Sequence, residues 1–150
     1  MFLTVGMLTY RFRSRLIKDY GGIATRMPLL ASFFMLFAMS NVGLPGTSGF
    51  VGEFMIILSA MQASFWITTI AASTLILSTS YTLYLYKRVF FGEITNPLVE
   101  ASGDIHGFEK LVFILLALAI ILLGVYPAPL LTIMHTSIDS ILHWSLQTKL

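Results

Sequence analysis

The strongest constraint in this sequence is an apolar run from Pro28 to Gln62 that contains a single charged side chain, Glu53. The chain has little polar surface with which to cover such a run, because only 11% of its 150 residues are charged, against about 25% in an average soluble domain. A continuous helix of this length would extend about 52 Å, well beyond the ~30 Å hydrocarbon core of a bilayer. The run therefore predicts an integral membrane protein in which this helix is interrupted.

The middle of the run carries the helix-breaking sequence Pro45-Gly46-Thr47-Ser48-Gly49. Pro45 has no N–H to donate to the carbonyl of Asn41, and the glycines loosen the backbone further. Two interpretations follow: two short spans joined by a turn, or one span broken into two half-helices.

The positive charges favour one broken span. Two ordinary apolar spans follow the run, at 66–86 and 111–134. If the run crosses the membrane once, eight of the nine Lys and Arg residues lie on one side, whereas two crossings divide them six to three. The positive-inside rule favours the uneven distribution. The remaining predicted segments are a partial transmembrane helix at 1–10, a basic loop at 11–27, the broken helix at 28–62 with its break at about 45–49, a solvated loop at 87–110 and a tail at 135–150.

The apolar residues 2–10 reach only about 15 Å as a helix, half of the hydrocarbon core. Positive charges follow them, whereas a secretory signal carries its charges first. We therefore expect the sequence to begin partway through a transmembrane helix, with a short interfacial helix as the alternative.

Glu53 is the residue best suited to chemistry. A carboxylate inside a membrane helix costs at least a few kcal/mol, so such residues usually serve a function. Burial favours its protonated form, whereas the N-terminus of a half-helix that begins near Ser48 or Gly49 favours the charged form. These opposed influences suit a proton relay; the alternative is a permanently protonated side chain that only hydrogen-bonds to a neighbouring helix. We expect Asn41, Thr47 and Ser48 to hold water beside it, because unwound backbone at membrane depth is tolerated where it lines a wet cavity.

Other kinds of site find little support in the sequence. The chain has no cysteine, and it contains no nucleotide-binding glycine pattern or nucleophile triad. His106, His135 and His143 are scattered, so we predict no metal site, and we expect lipid rather than nucleic acid as the surroundings.

The segment from Asn41 to Phe54, NVGLPGTSGFVGEF, closely resembles chain 4 of NADH:ubiquinone oxidoreductase (respiratory complex I), called subunit M in bacteria. The resemblance continues through Tyr20–Gly22, Arg26–Pro28, Tyr86–Gly92 and Gly124–Pro127. It implies an all-α integral membrane fold that forms the C-terminal part of an antiporter-like helix bundle with a discontinuous transmembrane helix.

Most relatives in that wider family carry Lys beyond the broken helix, while chain 4 carries Glu, as this sequence does at Glu53. The resemblance thus implies that Glu53 is a proton-exchanging residue of a subunit that couples NADH oxidation and quinone reduction to proton pumping. NADH, FMN, iron–sulfur clusters and ubiquinone would then be bound elsewhere in the complex, with no cofactor on this chain. The alternatives are a structural, non-pumping membrane subunit or a subunit of a cation/proton antiporter. The residues implied at the helix break near the proton path are Asn41, Pro45, Gly46, Thr47, Ser48 and Gly49.

A typical chain 4 has a long upstream part with an earlier broken helix and intramembrane lysines, which this sequence lacks. The resemblance therefore implies the C-terminal portion of a split chain 4, with a truncated, inactive remnant as the alternative. Its partners would be other membrane-arm subunits and a separate chain that supplies the N-terminal part. We expect a multi-pass protein of the mitochondrial inner membrane, or alternatively of a bacterial plasma membrane.

Overall fold

The computed structural model describes residues 1–94, 96–135 and 138, and these form helices with no strand among them. The predicted all-α fold is confirmed. The helices are α1 (Phe2–Phe12), α2 (Ile23–Arg26), α3 (Pro28–Asn41), α4 (Ser48–Ala63), α5 (Phe65–Phe90), α6 (Pro97–Ala101) and α7 (Gly107–Val125), with a 3-10 turn at Ile17–Asp19 and further helical residues at 128–135.

α3 and α4 follow one another along the bundle instead of folding back. α3 packs on the last turns of α5, where the Phe34 and Phe90 rings are 4.8 Å apart, and on the start of α7, where Phe33 and Phe113 are 5.8 Å apart. α4 instead lies along the first half of α5 and against the end of α7. Because the two helices contact opposite ends of the same neighbours, they form one interrupted helix, as predicted.

The segments predicted to be loops at the basic end are packed together. Arg11 forms a salt bridge with Glu109 and donates to the Gly103 carbonyl at 2.9 Å. Asp104 accepts hydrogen bonds from the first amides of α3, those of Leu29 (2.8 Å) and Leu30 (3.2 Å). Val99 and Ile105 of the same loop are buried in the hydrophobic core. The loop at 87–110 therefore differs from the solvated connector that we predicted: its acids tie the start of α7 to α1 and α3.

Several boundaries also differ from the sequence prediction. α1 and α5 each extend into a predicted loop, and the predicted basic loop contains α2 and the 3-10 turn. The span predicted at 111–134 is interrupted after Val125, because Pro127 has no N–H with which to continue α7. Within the predicted tail, only residues 135 and 138 are described.

Among the described residues, α7 alone is long and apolar enough to cross a membrane by itself, with 19 residues. α3 and α4 are apolar but shorter, at 14 and 16 residues. α5 has 26 residues, but its many Ser and Thr side chains lower its apolar character. Large apolar side chains are exposed along α4, α5 and α7, which is typical of a surface that meets lipid or further helices.

Candidate functional site

Gly43 ends α3. The amide of Leu44 donates to the carbonyl of Met39 at 3.0 Å, and the amide of Gly43 donates to Ser40 at 3.3 Å, which together form a Schellman motif. Gly43 has a φ of 78°, a left-handed conformation that glycine adopts without steric cost. Pro45, two residues further on, stands where proline is common after a stopped helix.

The break therefore occupies residues 42–47, not 45–49 as predicted. Ser48 and Gly49 are the first residues of α4 instead of part of the unwound segment. The difference arises because the glycine cap at Gly43, and not the missing N–H of Pro45, stops the helix.

α7 packs against the second half of the break. Thr47 is 3% exposed, and its hydroxyl donates to the Leu44 carbonyl at 2.7 Å. A Cβ added to Gly124 of α7 would overlap the Gly46 carbonyl and the Thr47 backbone, so α7 and the break touch directly. The Thr47 hydroxyl is therefore bonded within the break, and its role in holding water beside Glu53 stays a prediction.

Glu53 lies in the second turn of α4, half-buried, with its carboxylate directed back at the break. A Cβ added to Gly43 would overlap its Oε2 atom, so glycine is required there for the carboxylate to approach. Among the described residues, no side chain caps the N-terminus of α4. The unpaired amides of its first turn therefore leave positive partial charge at the break, on the same side as the carboxylate.

Glu53 borders two cavities. One, of about 550 Å³, lies between α4 and α5 and exposes hydroxyls of α5 to the carboxylate. The other, of about 390 Å³, lies between the break, the start of α1 and α7. The polar residues of the first cavity are Glu53, Thr74, Ser78 and Tyr81, and those of the second are Ser40, Asn41, Ser48 and Glu53.

The structure thus brings together Asn41, Ser48, Gly49 and Glu53 around the smaller cavity, whereas Pro45, Gly46 and Thr47 do not line either one. The sequence prediction missed Gly43 and the α5 hydroxyls. The Gly43–Pro45 spacing is a readable helix-stop signal, and the four-residue spacing of Thr74 and Ser78 places them on one helix face. No group of three or more His, Asp or Glu side chains that could hold a metal ion occurs in the described part of the chain.

A helix interrupted between two half-helices, with an ionisable side chain facing the interruption, defines a class of ion-translocating membrane proteins. Within that class, the sequence profile described as NADH:quinone oxidoreductase/Mrp antiporter, transmembrane, matches residues 1–79, which is just over half of the chain. The chain belongs to this family.

Relatives of known name agree with this assignment. NADH-quinone oxidoreductase subunit M of Rhodobacter capsulatus is 47% identical over 128 residues, covering 85% of this chain and 25% of that protein. NADH-ubiquinone oxidoreductase chain 4 of Marchantia polymorpha is 39% identical over 141 residues, covering 94% of this chain and 28% of that protein. In the structure of respiratory complex I from Thermus thermophilus with bound NADH, one chain is similar with a TM-score of 0.73 and 36% identity, covering 84% of this chain and 26% of that one. The chain therefore spans about a quarter of the length of these relatives.

Proposed function

We propose that this chain is the C-terminal part of a proton-translocating, antiporter-like membrane subunit of respiratory complex I, and that Glu53 exchanges the proton. In this role it serves NADH:ubiquinone reductase as a membrane subunit that carries no redox cofactor. NADH, FMN, the iron–sulfur clusters and ubiquinone belong to other subunits. The similarity to subunit M and chain 4 over most of the chain supports this assignment.

The position of Glu53 is the observation that supports this proposal most strongly. Its carboxylate borders two cavities, and the break places uncapped helix amides near it. One cavity offers a route from the side of α5, and the other offers a route from the side of α1 and α7. A carboxyl group between two cavities that each contain polar side chains can accept a proton from one and release it to the other.

The test is Glu53→Gln in membranes that contain the assembled complex. Glutamine keeps the size and hydrogen bonding of the side chain but cannot ionise, so NADH-driven proton pumping should fall while the complex still assembles. Glu100→Gln is the matched control, because Glu100 is exposed and only pairs loosely with Arg26 at 3.8 Å. Normal pumping by Glu53→Gln would instead support the structural, non-pumping subunit.

A cation/proton antiporter subunit is the second candidate, because the family's description names antiporters as well. Such a module would exchange cations for protons in membranes without NADH oxidation. Cation-dependent proton movement in vesicles that lack NADH would favour it, whereas movement that requires NADH supports the complex I assignment.

The proposed partners are the other membrane-arm subunits and a separate chain that supplies the N-terminal part of chain 4. Phe2 is 94% exposed and borders the smaller cavity, so a photo-crosslinker at this position should capture that chain. A truncated remnant would co-purify with no complex I subunit.

We place the protein in the mitochondrial inner membrane as a multi-pass subunit, with a bacterial plasma membrane as the alternative. The relatives include both a bacterial subunit M and a plant chain 4, which is consistent with either location. Fractionation of the source cells with an antibody to this chain would distinguish the two.

A further inference from the structure

Three hydroxyl side chains on α5 follow one line past Glu53: Thr74, Ser78 and Thr82. Thr74 and Ser78 line the larger cavity together with Glu53, and Thr82, one turn further, is 1% exposed inside the bundle. Residues four apart on a helix share a face, so these hydroxyls lead from the cavity into the interior.

Two of these hydroxyls are not used by the backbone, whereas the Thr74 hydroxyl donates to the Ala71 carbonyl at 2.6 Å and can only accept a hydrogen bond from water. The Ser78 hydroxyl lies 3.3 Å from the Tyr81 hydroxyl, to which it donates. The Thr82 hydroxyl is buried and has no hydrogen-bond partner among the described residues. A buried polar group without a protein partner typically marks the place of an ordered water. The hydroxyls that donate to the carbonyl four residues earlier are those of Thr68, Thr69, Thr79 and Ser80.

The spacing of the row suits water. Four residues rise about 6 Å along a helix. Each O–H···O hydrogen bond spans about 2.8 Å, so two waters between successive hydroxyls, joined by three such bonds at tetrahedral angles, cover this distance without any change in the helix.

We propose that Ser78 and Thr82, together with Thr74, are positioning residues that hold a file of water molecules through which Glu53 exchanges its proton with the interior of the bundle. The inference rests on the proposed function of Glu53. Each water accepts a proton from one neighbour and gives one to the next, so Glu53 gains or loses one proton while the hydroxyls are unchanged.

Thr82→Val tests the inference, because valine has the shape of threonine without its hydroxyl. If the site is dry, losing an unpartnered hydroxyl leaves stability unchanged or higher and pumping unaffected. If the hydroxyl holds water, the initial rate of NADH-driven proton pumping, normalised to assembled complex, should fall about fivefold, which corresponds to about 1 kcal/mol in the barrier. Thr82→Ser, which keeps the hydroxyl, should restore the rate. Thr79→Val is the matched control, since the Thr79 hydroxyl only bonds to the Leu75 carbonyl.

A second pair of variants keeps the test independent of any folding defect at Thr82. Ser78→Ala should slow pumping, whereas Ser80→Ala should not, because the Ser80 hydroxyl is exposed and bonded within its own helix. In a Glu53→Gln background, Thr82→Val should cause no further loss of pumping, because the water molecules then lead to a side chain that cannot accept or release a proton.

The outcomes separate the two proposals. Slow pumping by Glu53→Gln, combined with normal rates for Thr82→Val and Ser78→Ala, would overturn the water file and leave the role of Glu53 standing. An additive loss in the double variant would also overturn it. Normal pumping by Glu53→Gln would overturn the proposed function itself.

Discussion

Replacing Gly43 by alanine should disturb the proton pumping that we propose for Glu53 without removing any polar group. Gly43 has a φ of 78°, where a residue with a Cβ costs roughly 1–2 kcal/mol. Its new Cβ would also overlap the Glu53 Oε2 atom, so the carboxylate must move by roughly 1 Å to regain van der Waals distance. A displacement of about 1 Å at a reacting group can cost up to about 10²-fold in rate. We expect assembly to weaken modestly and pumping per assembled complex to fall strongly.

Gly46→Ala separates strain from contact. Gly46 lies in the same break with a φ of 90°, but a Cβ there meets nothing within 4 Å. Both variants therefore carry similar backbone strain, and Gly43→Ala alone displaces Glu53. The assay is NADH-driven acidification of inverted membrane vesicles, divided by the amount of assembled complex. Equal pumping by the two variants would refute the reasoning that the Gly43 contact positions the carboxylate.

Three further predictions concern the bundle around the site. Asp104→Ala removes the acceptor for two α3 amides and should cost about 1–2 kcal/mol, seen as faster hydrogen exchange at residues 29–30; unchanged exchange would contradict this role. Gly124→Ala forces α7 away from the break and should cost about 1–3 kcal/mol, measured as a lower melting temperature of the complex, whereas an unchanged value would show that α7 can shift freely. Single cysteines at Ser14 and Ser102 should label from one side of the membrane and a cysteine at Ser64 from the other; labelling of positions 14 and 102 from opposite faces would exclude the single broken crossing.

The interrupted helix could be predicted from the sequence because its cause is local. A run too long for one span, with Gly and Pro in its middle, has to break, and the Lys and Arg distribution favours half-helices that continue in one direction. The contacts of Arg11 with Glu109 and Gly103 hold two of the basic segments at one end, as that argument requires. The break was predicted too late in the chain because the prediction relied on Pro45, whereas the glycine cap at Gly43 ends the helix earlier.

Tertiary contacts account for what the sequence could not predict. Nothing local in the loop at 87–110 indicates that Asp104 caps α3, because its partners lie 74 and 75 residues away. Likewise, nothing local in the sequence indicates that Gly124 packs against the backbone of Gly46 and Thr47. The hydroxyls of α5 were overlooked for a different reason: Ser and Thr in a membrane helix usually bond to their own backbone, and only the structure reveals that Ser78 and Thr82 do not.

We propose that Glu53 changes protonation while the complex works, and infrared difference spectroscopy tests this change most directly. Spectra of the assembled complex, recorded before and after NADH is added, should contain a carboxylic C=O stretching change that is absent in Glu53→Gln and retained in Glu100→Gln. Identical difference spectra for the wild-type protein and Glu53→Gln would contradict the claim.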